Sequence, residues 1–597
     1  MPVSRNIPTL ANPDLVSFSI KVNGAIISQT VQVARISIQK AINKIPTAKI
    51  KLFDGIAAQE TFPQSNTETF LPGNAIDLSL GYHSKEAVVF KGIITAHSNK
   101  VSSSSSELTI ECRDVVVKMT VGRNSKHFNE VTDSDVAEQL IGNYSGVTAQ
   151  VEATSIKHKD LVQFNVTDWD FIVSRMDVIG CICLVNDGTF VIKKPSLGED
   201  AKLEVLFGAT ILEYNGTIDA KDQFGGVEAT SWNFSEQELT QTDAAEPQWS
   251  EGGNVTNSTL ADTIELEKFK LIHSGTITRE ALQAWADAKL MKNRLSKIRG
   301  SVKYQGNADV TPGNFIGLNG VGDRFNGKAL VSAVTHVCED GNWTTEVQFG
   351  LDPQWFAETI EVKNPASHNG LIPSMQGLQI GVVTDLEDPL GENRVRVKIP
   401  VISTGEEGIW VRVATLDAGN NRGSFFLPEI GDEVIIGFLN NDPNYAIMLG
   451  MLNSSAKPAA LTASNDNHEK GYISRADIRM IFNDEQKSYK LSTPAGNKIT
   501  LSDNDSNIVI EDQHGNKITM ESAGITIESA SAITLKAATD LTIEAVNVTI
   551  SPSANFSVGA GGCEIKAGSG SASLSAPQVK VEGSGVTEIK GGLVQIN

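Results

Sequence analysis

Between Asn497 and Asn597 the chain is a run of short triplets in which two apolar residues flank a third, usually polar, and this pattern excludes most folds for its last hundred residues. The triplets are Ile499-Thr500-Leu501, Ile508-Val509-Ile510, Ile518-Thr519-Met520, Ile525-Thr526-Ile527, Ile533-Thr534-Leu535, Leu541-Thr542-Ile543, Val548-Thr549-Ile550 and Phe556-Ser557-Val558, with Val579-Lys580-Val581 and Val594-Gln595-Ile596 further on. Their starts lie nine or ten residues apart and then settle to seven or eight. Period two puts both apolar members of a triplet on one face of a strand. A fixed repeat length marks stacked β architecture. A sheet with one bare apolar face must bury it on something, and no helical pattern follows to cover it. The expectation is a rigid β rod, which points to mechanical work before catalysis.

The rest of the chain is long enough for about four domains at roughly 150 residues each. A net charge of −21 disfavours nucleic-acid binding through phosphate contacts, which need a basic surface. The five cysteines, Cys112, Cys181, Cys183, Cys338 and Cys563, have no zinc-like spacing and read as small core residues of a protein assembled in a reducing cytosol. Met1 to Leu15 lack a signal-peptide pattern, and no apolar run approaches the roughly 20 residues of a membrane helix. Export would then need a dedicated machine or lysis.

Residues 15–125 alternate repeatedly, as in Phe18-Ser19-Ile20-Lys21-Val22, Val31-Gln32-Val33, Ala48-Lys49-Ile50-Lys51-Leu52, Ile76-Asp77-Leu78-Ser79-Leu80 and Leu108-Thr109-Ile110, and predict strands. The serines 102–106 predict a loop between two of them. Helices are expected over 133–144, capped from Thr132 or Asp133, and over 169–179, capped from Thr167 or Asp168. After Gly180, a strand, an Asn186-Asp187-Gly188 turn and a second strand predict a hairpin. Further strands fill 202–232. The acidic stretch 236–262 reads as a long loop or inter-domain crossing. The longest helix spans about 279–298, capped by Thr278, with Leu282, Trp285, Ala286, Leu290 and Leu295 on one face and Gly300 ending it. Strands follow to 350, and Asn364-Pro365 and Pro373 mark a boundary.

No motif for chemistry survives inspection. Gly322 to Ala329 has the G-x-x-x-x-G-K core of a phosphate loop, but Ala329 replaces the metal-binding hydroxyl and a strand follows where a helix N-terminus is needed. A glycine-rich hairpin is the better reading. The nine histidines are scattered, the nearest pair being His83 and His97, and no nucleophile elbow or electropositive cysteine is present. Carboxylate pairs such as Glu429 with Asp432, or Glu511 with Asp512, read as solvated turns. No catalytic residue, cofactor or metal site is expected.

Segment 382–452 is the most specific. It runs through Val383-Thr384-Asp385, Asp388-Pro389, Arg394-Val395-Arg396-Val397-Lys398-Ile399-Pro400, Trp410-Val411-Arg412-Val413-Ala414, Arg422-Gly423-Ser424-Phe425-Phe426-Leu427-Pro428-Glu429-Ile430-Gly431-Asp432-Glu433-Val434, Asn441-Asp442-Pro443 and Ile447-Met448-Leu449-Gly450. Five short strands with tight turns fit a small closed barrel. The segment closely resembles the OB-fold domain of VgrG-type spike proteins of type VI secretion and of phage-like contractile injection systems. Asp168-Trp169-Asp170-Phe171-Ile172 with its hairpin, the helix near Leu290, and Asp309-Val310-Thr311-Pro312-Gly313 resemble that family's N-terminal hub. Gly496-Asn497-Lys498-Ile499-Thr500 and Gly515-Asn516-Lys517-Ile518-Thr519 are similar to the start of its needle.

The resemblance implies a mainly β protein with a few α-helices in its hub. A phage-hub-like region of tube-like β-barrels would occupy 1–375, an OB-fold domain 376–453, a connector 454–495, and an intertwined trimeric β-helix or β-prism needle 496–597. The periodicity alone equally admits a single-chain solenoid. The resemblance implies a homotrimer seated on inner-tube and baseplate proteins, with a PAAR-type tip protein on the apolar end Val594, Gln595, Ile596 and Asn597, and effectors as further passengers. The particle would assemble in the cytoplasm and be delivered outside or into a target cell, touching the target membrane only on firing. About 25 residues separate barrel from needle, too few for a lysozyme-like insert; no toxin follows, and the His-x-His of iron-holding needle tips is missing. A dozen strands stacked at about 4.8 Å give a needle of roughly 60 Å. Two other readings remain. A glycan-cleaving tailspike would need aromatic sugar platforms, and residues 497–597 carry only Phe556. A stalk-type adhesin would need a signal peptide and an anchor.

Overall fold

In the computed structural model, which describes residues 16–233, 236–249, 252–359, 375–402, 404–405, 407–559 and 561–596, the alternating segments of the first 125 residues become strands of one large sheet. Val16–Val22, Val33–Ala41, Thr47–Phe53, Ala75–Tyr82, Lys85–Val101 and Ser106–Arg113 all join it, and serines 102–105 turn between the last two. The inward positions of this part (Ile36, Ile38, Ile50, Leu52, Leu78, Phe90, Leu108 and Ile110 among them) form one apolar core. Strands Ile211–Ile218, Ile298–Gln305, Gly327–Glu339 and Asn342–Phe349 continue the same thirteen-stranded sheet around a second core that includes Val302, Tyr304, Val331, Val347 and Phe349. The two parts meet through antiparallel pairing of Val33–Ala41 with Gly327–Glu339, where Ile38 lies opposite His336. The hub is therefore two strand-built halves joined edge to edge.

Threonines start its principal helices. Thr132 Oγ1 accepts from the Asp135 amide while the Asp135 carboxylate accepts from the Thr132 amide, a capping box for Asp133–Ile141. Thr167 caps Asp168–Asp177, and Thr278 caps Arg279–Leu295, by the same side-chain acceptance. Each such cap is worth about 1 kcal/mol. The predicted hairpin is Ile182–Asn186 with Thr189–Lys193. Its turn residues Asp187 and Gly188 have φ of 53° and 84°, as a type I′ turn requires. The Asp114 carboxylate accepts from the amides of Gly188 and Val116, which pins the turn.

Two readings of the hub are corrected. The stretch 236–262 contains the strand Glu238–Asp243, paired with Gly226–Asn233, and the helix Asn257–Ile264 capped by Thr256. Its polar composition reflects an edge strand with most side chains in water. The long helix ends at Leu295 with Ser296 as its cap, not at Gly300. Gly300 lies inside the strand Ile298–Gln305, where a Cβ would sit 2.0 Å from the Asn215 carbonyl oxygen, so close strand packing requires the glycine. Of the predicted stripe, Leu282, Trp285, Ala286 and Leu290 pack in one cluster, and Leu295 in the next.

The helix carries cations inward as well. Lys292 Nζ donates to both carboxylate oxygens of Asp177 at 2.7 and 2.8 Å, both side chains being buried. Asp177 Oδ2 also accepts from the Phe356 amide, which ties the end of the hub to both helices. The boundary prolines 365 and 373 lie outside the described residues.

Five strands, Gln379–Asp385, Val395–Lys398, Ile409–Val413, Ala446–Met451 and Glu433–Phe438, close into a barrel in that spatial order. Val383, Val395, Val397, Val411, Val434 and Ile436 fill it. A short hairpin, Ala418–Gly419 with Arg422–Gly423, projects from one connection.

Residues 453–597 form a separate unit. Seven strands run consecutively as an antiparallel meander: Glu469–Ile473, Arg479–Asn483, Ser488–Ser492, Lys498–Ser502, Asn507–Glu511, Lys517–Glu521 and Gly524–Glu528. The first three fall within 454–495, read from sequence as a connector, so the stacked strands begin at Glu469.

Candidate functional site

The meander's register sorts its side chains into two apolar rows on one face. Tyr472, Met480, Leu491, Ile499, Ile510, Ile518 and Ile527 are each directly opposite the next. Phe482, Tyr489, Leu501, Ile508, Met520 and Ile525 make a second such row. Alternation turns Ile481, Lys490, Thr500, Val509, Thr519 and Thr526 to the other face, with Lys498 opposite Glu511 at 2.9 Å. Threonine, lysine and glutamate suit water. The apolar face does not, yet it stays substantially exposed and includes a groove of about 710 Å³ lined by Leu491, Ile499, Ile510, Ile518, Ile527 and Ile533.

Past Glu528 the pairing within the chain stops. Among the described residues, 529–596 form no strand ladder, and Ile533, Leu541, Ile543, Val548, Ile550, Phe556 and Val579 are exposed. The alternating sequence continues through these residues. At the end, Val594, Gln595 and Ile596 are exposed, Ile596 by 87%, while Asn597 lies outside the described residues. Sequence reading missed Tyr472, Phe482 and Tyr489. These three aromatics open the meander inside its apolar rows, with Phe482 and Tyr489 rings 5.1 Å apart.

The motifs tested for chemistry have structural roles. Gly322 to Ala329 joins the antiparallel strands Phe315–Asn319 and Gly327–Glu339, a hairpin as expected. Lys328 Nζ donates to the carbonyls of Leu197 and Glu199 and lies over the Phe315 ring. Burial pushes the thiols of Cys181 and Cys338 up to about 11 and that of Cys112 to about 12, away from nucleophilic character. His97 is held between Ser65 Oγ and the Phe70 carbonyl. Asp512 accepts from the amides of His514 and Asn516 and the side chain of Asn516; these bonds, led by the Asn516 side chain, hold its carboxyl below the usual range. No cluster of metal-ligating residues occurs among the described residues, and no described helix is long and apolar enough to cross a membrane.

Closed barrel, stacked meander and unpaired alternating tail define a class, and family models match in the same order. The type VI secretion system/phage-baseplate injector OB domain matches residues 379–452, and the phage baseplate V C-terminal trimerisation domain matches 488–550. The Alg8 N-terminal domain model matches residues 12–340, more than half of the chain, and the chain belongs to that family. Over short segments it is also similar to VgrG-type spikes. It is 32% identical over 128 residues to the type VI secretion system spike protein VgrG4b of Pseudomonas aeruginosa, covering 19% of this chain and 15% of that protein. It is 37% identical over 89 residues to the spike protein VgrG3 of Vibrio cholerae, covering 13% of this chain and 8% of that one. The chain thus aligns with less than a sixth of the length of either relative. A prophage tail protein from Shewanella oneidensis matches 57% of this chain and 98% of its own at 12% identity and a TM-score of 0.44, too loose a likeness to bear on function.

Proposed function

We propose that this chain is the structural central spike of a contractile injection system, a hub and needle seated on baseplate and inner tube that punctures a target envelope. The observation that carries the reading is the one-sided apolar face of the tail, overlapping a match to a trimerisation domain. Burying one isoleucine side chain contributes about 1.5–3 kcal/mol. Three copies that turn these rows inward therefore gain cohesion along the whole meander. The backbone ladder differs along its length. Strands up to Glu528 bond within one chain, whereas in this reading 529–596 take their partners from other copies once assembly buries their backbone groups. The proximal needle is thus three self-paired sheets packed face to face, and the distal needle is interwoven and forms only on assembly. Continuous ladders of this kind resist shear without chemistry, which suits a part that transmits force.

In this reading the hub receives the tube and baseplate, effectors ride as passengers, and the particle is assembled in the cytoplasm before delivery. In this reading the exposed Val594, Gln595 and Ile596, together with Asn597, take a PAAR-type tip protein that covers their apolar side chains. Co-purification tests this. Deleting residues 567–597 is expected to leave the hub folded and to abolish retention of the tip protein; retention at the full-length level would overturn the tip assignment.

A further inference from the structure

The barrel carries two apolar surfaces that its core does not use. The first is a built tab on the connection after Ile409–Val413. Its hairpin is held by the Asp417–Arg422 ion pair at 2.6 Å, by Thr415 Oγ1 with Ser424 Oγ at 2.6 Å, and by the Ser424 amide donating to the Asp417 carbonyl. Gly423, at φ 132°, approaches Asp417 so closely that a Cβ would meet its carbonyl oxygen at 2.4 Å. This well-tied loop holds Leu416 89% exposed, Phe425 73% exposed, and Ile430 in solvent as well.

The second surface is the outer wall of strands Gln379–Asp385, Glu433–Phe438 and Ala446–Met451. Alternation sends Val383, Val434, Ile436 and Met448 into the core and leaves outward positions that an isolated barrel would fill with polar residues. Here they are Ile380, Leu449 and Met451, all exposed, with Leu378 beside them and Ile380 directly opposite Ile435. Gly437 lets the Leu449 and Leu378 side chains close over this wall, since a Cβ there would meet Leu449 Cδ1 at 3.2 Å and Leu378 Cδ2 at 3.4 Å.

A ring of three identical subunits closes only through a heterologous contact, in which each copy offers two different and complementary patches. The barrel has two. We infer that the apolar tab of one barrel, led by Phe425 and Leu416, seats on the Leu378–Gly437–Leu449 wall of the next copy. This rests on the trimeric spike reading and assigns it an interface outside the needle. A second copy is the occupant because every chain carries both halves, and because the match of residues 488–550 to a trimerisation domain brings three barrels into one assembly. The charges on the tab are paired with each other, so seating it leaves no unpaired ion.

Disulfide trapping in the full chain tests the contact. Cys563 is the exposed cysteine among four buried ones, so Cys563→Ser supplies a quiet background. On mild oxidation, F425C with L449C is expected to give covalent dimers and trimers, and either substitution alone to give none. An uncrosslinked double variant that remains a trimer by light scattering would overturn the interface and leave the spike reading intact. Crosslinking by F425C alone would overturn it too, because the tabs would then meet each other. A monomer would overturn both. Independently, Leu416→Asp, at a side chain that supports no core, is expected to lower the trimer's thermal midpoint; an unchanged midpoint contradicts the proposal.

Discussion

Ile499 and Ile510 lie directly opposite each other on neighbouring strands of the tail meander, yet 37% and 41% of their surface remains exposed. A cross-strand pair of this kind stabilises a sheet when its face is covered. In the proposed trimer the pair is repeated three times around one axis. Ile510→Asp would bring three carboxylates into that interior at a cost of several kcal/mol each. The expected outcome is loss of the trimer by light scattering with the hub still folded by circular dichroism. Thr519→Asp, on the opposite face, is expected to change stability by less than about 0.5 kcal/mol. Equal effects of the two substitutions would count against an inward apolar face.

The alternation that fixes these rows was legible from Asn497 onward because each triplet is bounded by turn residues. The three earlier strands were not. Gly471-Tyr472-Ile473 and Arg479-Met480-Ile481-Phe482 interleave glycine and charge with apolar residues, and Ile473 and Ile481 face outward and blur the period. Helix starts at Thr132, Thr167 and Thr278 were readable because a threonine acceptor three residues ahead of an amide is a local signal. The end of the long helix was not, because Ser296 closes it while the glycine that draws the eye, Gly300, answers to Asn215 across the sheet. Thr256 was an available cap signal for Asn257–Ile264 but stood in a stretch whose polarity suggested a loop. The barrel's apolar wall and tab depend on which strand positions face outward, which only three-dimensional pairing reveals.

The Lys292–Asp177 pair is expected to behave as a buried ion pair. Lys292→Met leaves Asp177 charged and buried, at a cost of about 3–5 kcal/mol, read as a shift in the urea unfolding of the hub. Adding Asp177→Leu is expected to restore only part of this, since the Phe356 amide then loses its acceptor. Full recovery would show that the Phe356 bond contributes nothing.

His336 sets a pH dependence. Its Nδ1 lies 3.0 Å from Thr345 Oγ1, whose hydroxyl donates to the Asn307 carbonyl, so the ring donates from Nδ1. Burial, with a smaller contribution from the Lys40 charge, lowers its pKa to about 3. The unfolded ring, at about 6.5, takes up a proton first as pH falls. Stability from this group is thus complete above about 6.5 and is lost as pH drops toward 3, by at most about 1.4 kcal/mol per unit. Denaturant midpoints from pH 7 to pH 4 should fall, and fall less steeply in His336→Leu. An unchanged slope in that variant would remove the histidine from the account.

Backbone protection should divide at Glu528. Hydrogen exchange on the assembled protein is expected to show slow amides both in 469–528 and in the alternating segments beyond. After dilution to dissociate the trimer, protection should disappear first from 529–596, whose partners lie in other copies. Simultaneous loss in both segments would contradict the two-part needle.

The central claim is that three chains share one needle, and mass tests it most directly. Light scattering on the purified full chain should give three times 64.0 kDa, unchanged on moderate dilution. A stable species of 64.0 kDa, with the apolar rows of the meander left in water, would contradict the account.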